Sequence, residues 1–204
     1  MTSSRIGILG GSFNPPHIGH LIIAQDAYEA FDLSRVIFVP SKQPPHKAPS
    51  SLIDSSHRMA MTEAAIAGDS RFEVSDLELK MDGPSYTINT VKQLLVRYPE
   101  AEICFIIGSD SLLELHLWKD IAELLPLCRF ITITRPGYVD HGVKESDIQL
   151  HAPWPSKLIA DMRTGSLVDV SSSGVRNRVS EGLSIKYLVP AAVEVYIATH
   201  ELYE

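Results

Sequence analysis

Cysteine is scarce in this chain: Cys104 and Cys128 are its only two among 204 residues. That excludes a disulfide-stapled scaffold, and both lie in apolar, strand-like runs that suit buried thiols in a reducing compartment better than a bridge. Basic excess is missing too, with 18 Lys and Arg against 25 Asp and Glu and a formal charge of −7. Nucleic-acid binders carry a basic stripe, and its absence argues against a polynucleotide partner. No apolar run approaches the roughly 20 residues that span a bilayer. The short run at residues 6–9 is too brief for a secretory signal. The expectation is a cytoplasmic protein with no membrane partner. Two phosphate-binding signatures are also lacking, G-x-x-x-x-G-K-[ST] and G-x-G-x-x-G. The second apolar run ends Val39-Pro40-Ser41, with no acidic residue to hold a ribose, which disfavours a dinucleotide-dependent oxidoreductase.

What is present is ordinary globular composition, 45% hydrophobic and 21% charged, in a length that suits one α/β domain over residues 1–204. Short apolar runs alternate with helical spacing. Strands are expected at 5–9, 36–40, 72–77, 102–107, 129–134 and 167–170, and helices at 18–31, from Ser55 or Ser56 as cap to about 67, at 87–97, 111–117, 120–125, 174–181 and 190–203. The stretch 138–157, with its prolines, glycines and histidines, reads as irregular, and Trp154 within it has no role beyond packing or a subunit contact. Tyr28, Phe31 and Phe38 are expected in the core. This alternation predicts a Rossmann-like doubly wound, mostly parallel sheet with helices on both faces. Ligands of such sheets bind at the carboxyl ends of the strands where the order reverses. That rule singles out the loops after Leu9 and after Ile107.

The first of these reads Gly10-Gly11-Ser12-Phe13-Asn14-Pro15-Pro16-His17-Ile18-Gly19-His20. Two glycines allow close backbone approach to a phosphate, and the helix behind supplies free amides and a positive dipole end. His17 and His20, three apart, share a face and can donate together to phosphate oxygens. Gly19 between them is expected to keep that face open to a bulky ligand. Two histidines alone are too few for a zinc site.

The same run resembles the (H/T)-x-G-H signature of the nucleotidyltransferase superfamily, in the extended form similar to bacterial nicotinate-nucleotide adenylyltransferases. The resemblance covers nearly the whole chain. In order come Pro44-Pro45-His46-Lys47, Arg58, Ser85-Tyr86-Thr87 with Thr90, Gly108-Ser109-Asp110, Trp118-Lys119, Arg135-Pro136-Gly137-Tyr138 and Val170-Ser171-Ser172-Ser173-Gly174-Val175-Arg176. The last departs mildly from the family's I-S-S-T-x-[IL]-R at Val170 and Ser173. Cytidylyl enzymes carry a different tail, and phosphopantetheine enzymes are usually shorter and lack the Ser85-Tyr86-Thr87 and Trp118 features. The resemblance implies adenylyl transfer from ATP to nicotinate mononucleotide. The alternatives are nicotinamide mononucleotide or phosphopantetheine as acceptor, or a non-catalytic adenine-nucleotide sensor.

Residue types fit that chemistry. A phosphate monoester is largely ionised at neutral pH, so no general base is needed; alignment and charge stabilisation suffice. The catalytic set is His17, His20 and Arg176, with His20 nearest the transferred group. ATP would be held by Gly10, Gly11, Ser12, Phe13, His17, His20, Gly108, Asp110, Ser171, Ser172 and Arg176, with Mg²⁺ riding on the nucleotide and no protein metal site. By family pattern Asp110 would hold the adenosine ribose, though it also reads as a helix N-cap. Arg176, Ser171 and Ser172 are placed over the β- and γ-phosphates. On the acceptor side, Tyr86 and Thr87 at a helix start can present amides to a carboxylate, and Trp118 offers a flat face to a pyridine ring. Lys47 is assigned to the acceptor's phosphate and Arg135 resembles a family arginine near the nucleotide. The stretch 41–54 reads as a mobile lid. Oligomeric state stays open, a homo-oligomer included.

Overall fold

β1 (Arg5–Gly11) lies at the centre of a six-stranded sheet because its apolar side chains are needed on both faces. Ile6 and Ile8 face one layer and Leu9 the other. At Gly7 a Cβ would stand 2.6 Å from Leu33 Cδ1, so glycine is what lets Leu33 lie against the strand. The computed structural model describes residues 4–45, 52–134 and 142–204. Within them β2 (Arg35–Pro40), β3 (Phe72–Val74), β4 (Glu102–Gly108), β5 (Arg129–Ile133) and β6 (Met162–Arg163) complete the order β3-β2-β1-β4-β5-β6, every pair parallel. The order reverses between β1 and β4, as expected of a doubly wound sheet.

Helices cover both faces, as the alternation predicts. α1 (Ile18–Ala30) packs Ala24 and Ala27 among Phe31, Phe38, Cys104 and Ile131. α3 (Thr87–Arg97) lies opposite, placing Ile88, Val91 and Leu94 against Ile8, Phe105 and Phe130. A third cluster joins α2 (Ser55–Ile66), α7 (Ser172–Ser180) and α8 (Ala191–Thr199) through Met61, Val175, Val193 and Ile197. His57 of α2 meets Tyr196 of α8, ring nitrogen to hydroxyl 3.0 Å. Phe31 and Phe38 are buried as expected, with Tyr28 half-buried at the edge.

Several expectations need correction. The 167–170 segment is not a strand; β6 precedes it. Ser166 instead donates from its backbone N–H (2.6 Å) and its hydroxyl (3.2 Å) to Asp26 of α1, drawing the segment away from β5. The 72–77 strand stops at Val74, since Leu77 already caps a 3₁₀ turn at Glu78–Lys80. α2 is capped by Asp54, whose carboxylate accepts from Ser56 N–H at 2.7 Å, and not by Ser55 or Ser56. The 111–117 helix begins earlier and divides into α4 (Ser109–Leu113) and a 3₁₀ turn at Leu115–Leu117, followed by α5 (Ile121–Leu124). The nominally irregular 138–157 stretch contains the start of α6 (Trp154–Ala160). Pro155 sits in its first turn, where no N–H partner is required. Trp154 is half-buried against the core with the Lys157 ammonium 5.0 Å from its ring centre.

Candidate active site

The loop between β1 and α1 is built around an aromatic ring turned inward. Phe13 adopts φ +45°, a strained conformation for a side chain of its size, and its ring is only 1% exposed. It packs on Phe38 (5.7 Å) and edge-on to His20 (5.0 Å). Gly11 makes room for it, because a Cβ there would lie 3.2 Å from Phe13 Cζ, and Gly10 similarly clears Phe105 at 3.2 Å. Ser12 follows at the surface end of the strand, half-buried.

His17 caps α1 from an extended backbone and is buried. Its backbone N–H donates to His20 Nδ1 at 3.1 Å. An imidazole accepting at Nδ1 carries its proton on Nε2, so the bond from His17 fixes the tautomer of His20. The two rings lie 3.8 Å apart. Gly19 does not leave open space for a ligand as expected: a Cβ there would stand 3.0 Å from His17 Nδ1 and 3.6 Å from the Val170 carbonyl. Its clearance belongs to the His17 ring.

The serine-rich tail closes on this loop from the other end of the chain. Arg176 Nη1 donates to the Asn14 carbonyl (2.9 Å) and Ser172 Oγ to the Pro15 carbonyl (2.8 Å). Ser171 caps α7, accepting from Gly174 N–H at 3.1 Å. The N-termini of α1 and α7 therefore both lie against residues 14–17, where their positive dipole ends favour an anion. The other guanidinium N–H groups of Arg176 make no hydrogen bond among the described residues.

Comparison with known proteins agrees with this arrangement. Residues 8–178 match the family model described as cytidylyltransferase-like. A probable nicotinate-nucleotide adenylyltransferase of Opitutus terrae is 43% identical over 200 residues, covering 98% of this chain and 97% of its own. One from Moorella thermoacetica is 42% identical, with 98% and 91% covered. The chain belongs to the nicotinate-nucleotide adenylyltransferases of this cytidylyltransferase-like family. In fold it is similar to the Plasmodium falciparum nicotinic acid mononucleotide adenylyltransferase complexed with NaAD, at TM-score 0.76 and 21% identity over 98% of this chain and 97% of that one.

Of the residues expected on the acceptor side, Tyr86 precedes α3 in an extended conformation, its N–H donating to the Pro84 carbonyl at 2.8 Å, and Thr87 is the first helical residue with no side-chain cap over the N-terminus. Trp118 and Lys119 are brought to the same region: the Lys119 ammonium stands 5.6 Å from the Tyr86 ring centre. The Trp118 indole is half-buried and edge-on to Phe105 and Phe130, each at 6.0 Å. Gly108 caps α4, so Asp110 is not its N-cap but sits in the first turn, half-buried at the switch point. Lys47 and Arg135 lie outside the described residues, as does the central part of the 41–54 stretch. Among the described residues no group of three His, Cys, Asp or Glu is placed to hold a metal, and no helix is long and apolar enough to cross a membrane.

Three residues of this adenylyltransferase carry more of the site than the sequence indicates. Arg58, 1% exposed, donates only to backbone carbonyls, and burial pulls its guanidinium below the usual arginine range. Tyr203 OH donates to Asn14 Oδ1 at 2.9 Å, and burial pushes its phenol above the usual tyrosine range, opposed by Arg176 and Arg58. Ser109 Oγ is buried without a hydrogen-bond partner among the described residues, beside Gly108. Arg58 and Ser109 stand inside quoted motifs, which was the available signal; nothing local marks Tyr203. Both cysteines are free thiols. A groove of about 500 Å³ between α2 and β3 is lined by Glu63, Asp69 and Glu73, a carboxylate set unsuited to phosphates.

Proposed function

We propose that this protein, as one nucleotidyltransferase domain in the cytoplasm, transfers the adenylyl group of ATP to nicotinate mononucleotide, giving nicotinate adenine dinucleotide and pyrophosphate. The observation that carries the reading is the convergence of His17, His20 and Arg176 on one loop at two helix N-termini. That is a donor set suited to a triphosphate and lacking a general base, as the reaction requires. The acceptor's phosphate monoester arrives largely ionised, so the residues need only orient it and stabilise charge on the phosphoryl oxygens.

In this reading the Nε2–H of His20 meets the transferred phosphoryl group, while the uncommitted part of the Arg176 fork takes the leaving pyrophosphate. Gly10, Gly11, Ser12 and Phe13 shape the loop, and Gly108 and Asp110 take the adenosine end. Ser172 acts by fixing the Pro15 carbonyl and Ser171 by presenting the α7 amides. A divalent cation, Mg²⁺ in this reading, arrives on ATP and neutralises its phosphates when bound. The Tyr86 N–H is already given to the Pro84 carbonyl at 2.8 Å, so it is the first-turn amides from Thr87 onward, which have no side-chain cap, that suit a carboxylate and would serve a neutral carboxamide poorly. Trp118 flanks the ring, and Lys47 and Arg135 complete the acceptor and nucleotide sides. The names of the relatives support the same acceptor.

The test is pyrophosphate release from ATP and Mg²⁺ with nicotinate mononucleotide, nicotinamide mononucleotide and phosphopantetheine compared side by side. A preference of about 100-fold or more for the first, roughly 2.7 kcal/mol, supports the carboxylate pocket. Inertness with all three while ATP still binds overturns the catalytic reading.

A further inference from the structure

Arg58 is the largest fully buried side chain among the described residues, and its position is costly. A guanidinium removed from water loses hydration that neutral partners replace only in part. Among the described residues it makes no ion pair; Asp54 and Tyr203 act on it only at longer range. Its fork is divided among three carbonyls: Nη1 to Ser12 at 2.7 Å, Nη2 to Lys42 at 3.2 Å and Nε to Ile53 at 3.2 Å. A leucine or methionine would fill the same volume without the charge. What hydrocarbon cannot do is tie these three segments together.

Two of those segments lead to the two substrate sides. Ser12 belongs to the loop assigned to ATP, and Gly11 beside it accepts from Ser41 N–H at 2.9 Å. Lys42 leads toward the acceptor side. The backbone N–H groups of Lys42 and Gln43 both donate to Ser85 Oγ (3.0 and 3.3 Å), and Ser85 N–H returns a bond to the Gln43 carbonyl at 2.9 Å. Ser85 immediately precedes Tyr86 and Thr87, and Thr90 in the first turn that follows donates to Glu78 at 2.6 Å. A continuous polar chain therefore runs Ser12, Arg58, Lys42, Ser85, Tyr86.

We infer that Arg58 is a positioning residue that couples the nucleotide loop to the acceptor-side turn, so that occupancy of either side favours binding at the other. The inference rests on the assignment of those two sides made above. Arg58 touches neither substrate. A rigid planar fork can satisfy three divergent carbonyls at once, whereas an ammonium is a point donor on a flexible stem. Coupling of this kind is reciprocal and typically amounts to about 5- to 150-fold in affinity.

The experiment uses the full chain as wild type, Arg58→Lys, Ser85→Ala and the double variant. Calorimetry gives the affinity for α,β-methylene-ATP with and without nicotinate mononucleotide, and circular dichroism with thermal melts reports folding. In the wild type, nicotinate mononucleotide is expected to tighten analogue binding about 5-fold or more. In folded Arg58→Lys and Ser85→Ala the factor falls toward 1, and the double variant loses no more than either single one, because both break the same chain. A wild-type factor of 1 overturns the inference, as does an Arg58→Lys variant that melts lower but keeps the wild-type factor.

If nicotinate mononucleotide does not bind, the acceptor assignment fails separately. Amide exchange then decides the coupling. Analogue-induced slowing at residues 41–43 and 85–87 in the wild type, lost in Arg58→Lys, supports it. Equal slowing in both, or none in the wild type, overturns it.

Discussion

Arg176 and Asn14 stand 162 positions apart in the chain, yet the arginine's Nη1 donates to the asparagine's carbonyl at 2.9 Å. This bond ties α7 to the β1–α1 loop that ends in His17 and His20.

Replacing Arg176 with alanine removes the tie to Asn14 and, in the proposed mechanism, a donor to the leaving pyrophosphate. The expected loss in kcat is on the order of 10²–10³, with Arg176→Lys recovering only part because one point charge cannot serve two oxygens. Steady-state pyrophosphate release checks this, and a loss below about 10-fold contradicts the assignment.

Gly19→Ala is a sharper probe of the histidine pair. Its Cβ would stand 3.0 Å from His17 Nδ1 and 3.1 Å from Cε1, so the ring must shift while the helix, which favours alanine over glycine, is intact or strengthened. The ring need give by only a few tenths of an ångström, so the expected loss is smaller than the roughly 10²-fold of a 1 Å displacement. The expected signature is falling kcat with unchanged or raised melting temperature; normal turnover would show that His17 tolerates movement.

Glu78 supplies a pH dependence of stability. Burial raises its carboxyl above the ordinary 4.5, the hydroxyls of Thr90 and Ser85 opposing only in part. The folded state therefore binds this proton more tightly than the unfolded chain, and stability drops as pH rises through the window just above 4.5. Glu78→Gln has no proton to lose, so its stability relative to wild type should climb between about pH 4 and pH 7. Urea titrations across that range measure it, and a flat difference would refute the assignment.

The thiols of Cys104 and Cys128 are each pushed up to about 12 by burial. At pH 8 only about one in 10⁴ is then thiolate. Ellman's reagent should leave the buried Cys104 unlabelled and reach the half-buried Cys128 only slowly in the native protein, with both labelled in denaturant, and reductant should leave turnover unchanged. Rapid native labelling of either would contradict the burial.

Much of the site was legible because its parts are local. Gly10 through His20 is one continuous run from the end of β1 into the first turn of α1, so its glycines, cap and histidines are near one another in the chain and their spacing conveys much of the geometry. The strands at β1, β2, β4 and β5 were equally legible, since a parallel strand covered on both faces must be apolar along its length. Less legible were features where a neighbour overrode local preference. Residues 167–170 look like a strand, but Asp26 captures Ser166. Prolines near 153–155 look irregular, but the first turn of α6 accommodates them.

The sequence by itself determined the alternating layers, the β1–α1 run with His17 and His20, and the family signature, because each depends on residues near one another in the chain. Only the tertiary structure decided that Gly19 makes room for His17, that Arg58 joins Ser12 to Lys42, and that Tyr203 reaches Asn14. Side-chain periodicity states which face of an element is buried. It does not state which carbonyl a buried donor will meet, because that depends on where distant segments are carried by the sheet order and its crossovers.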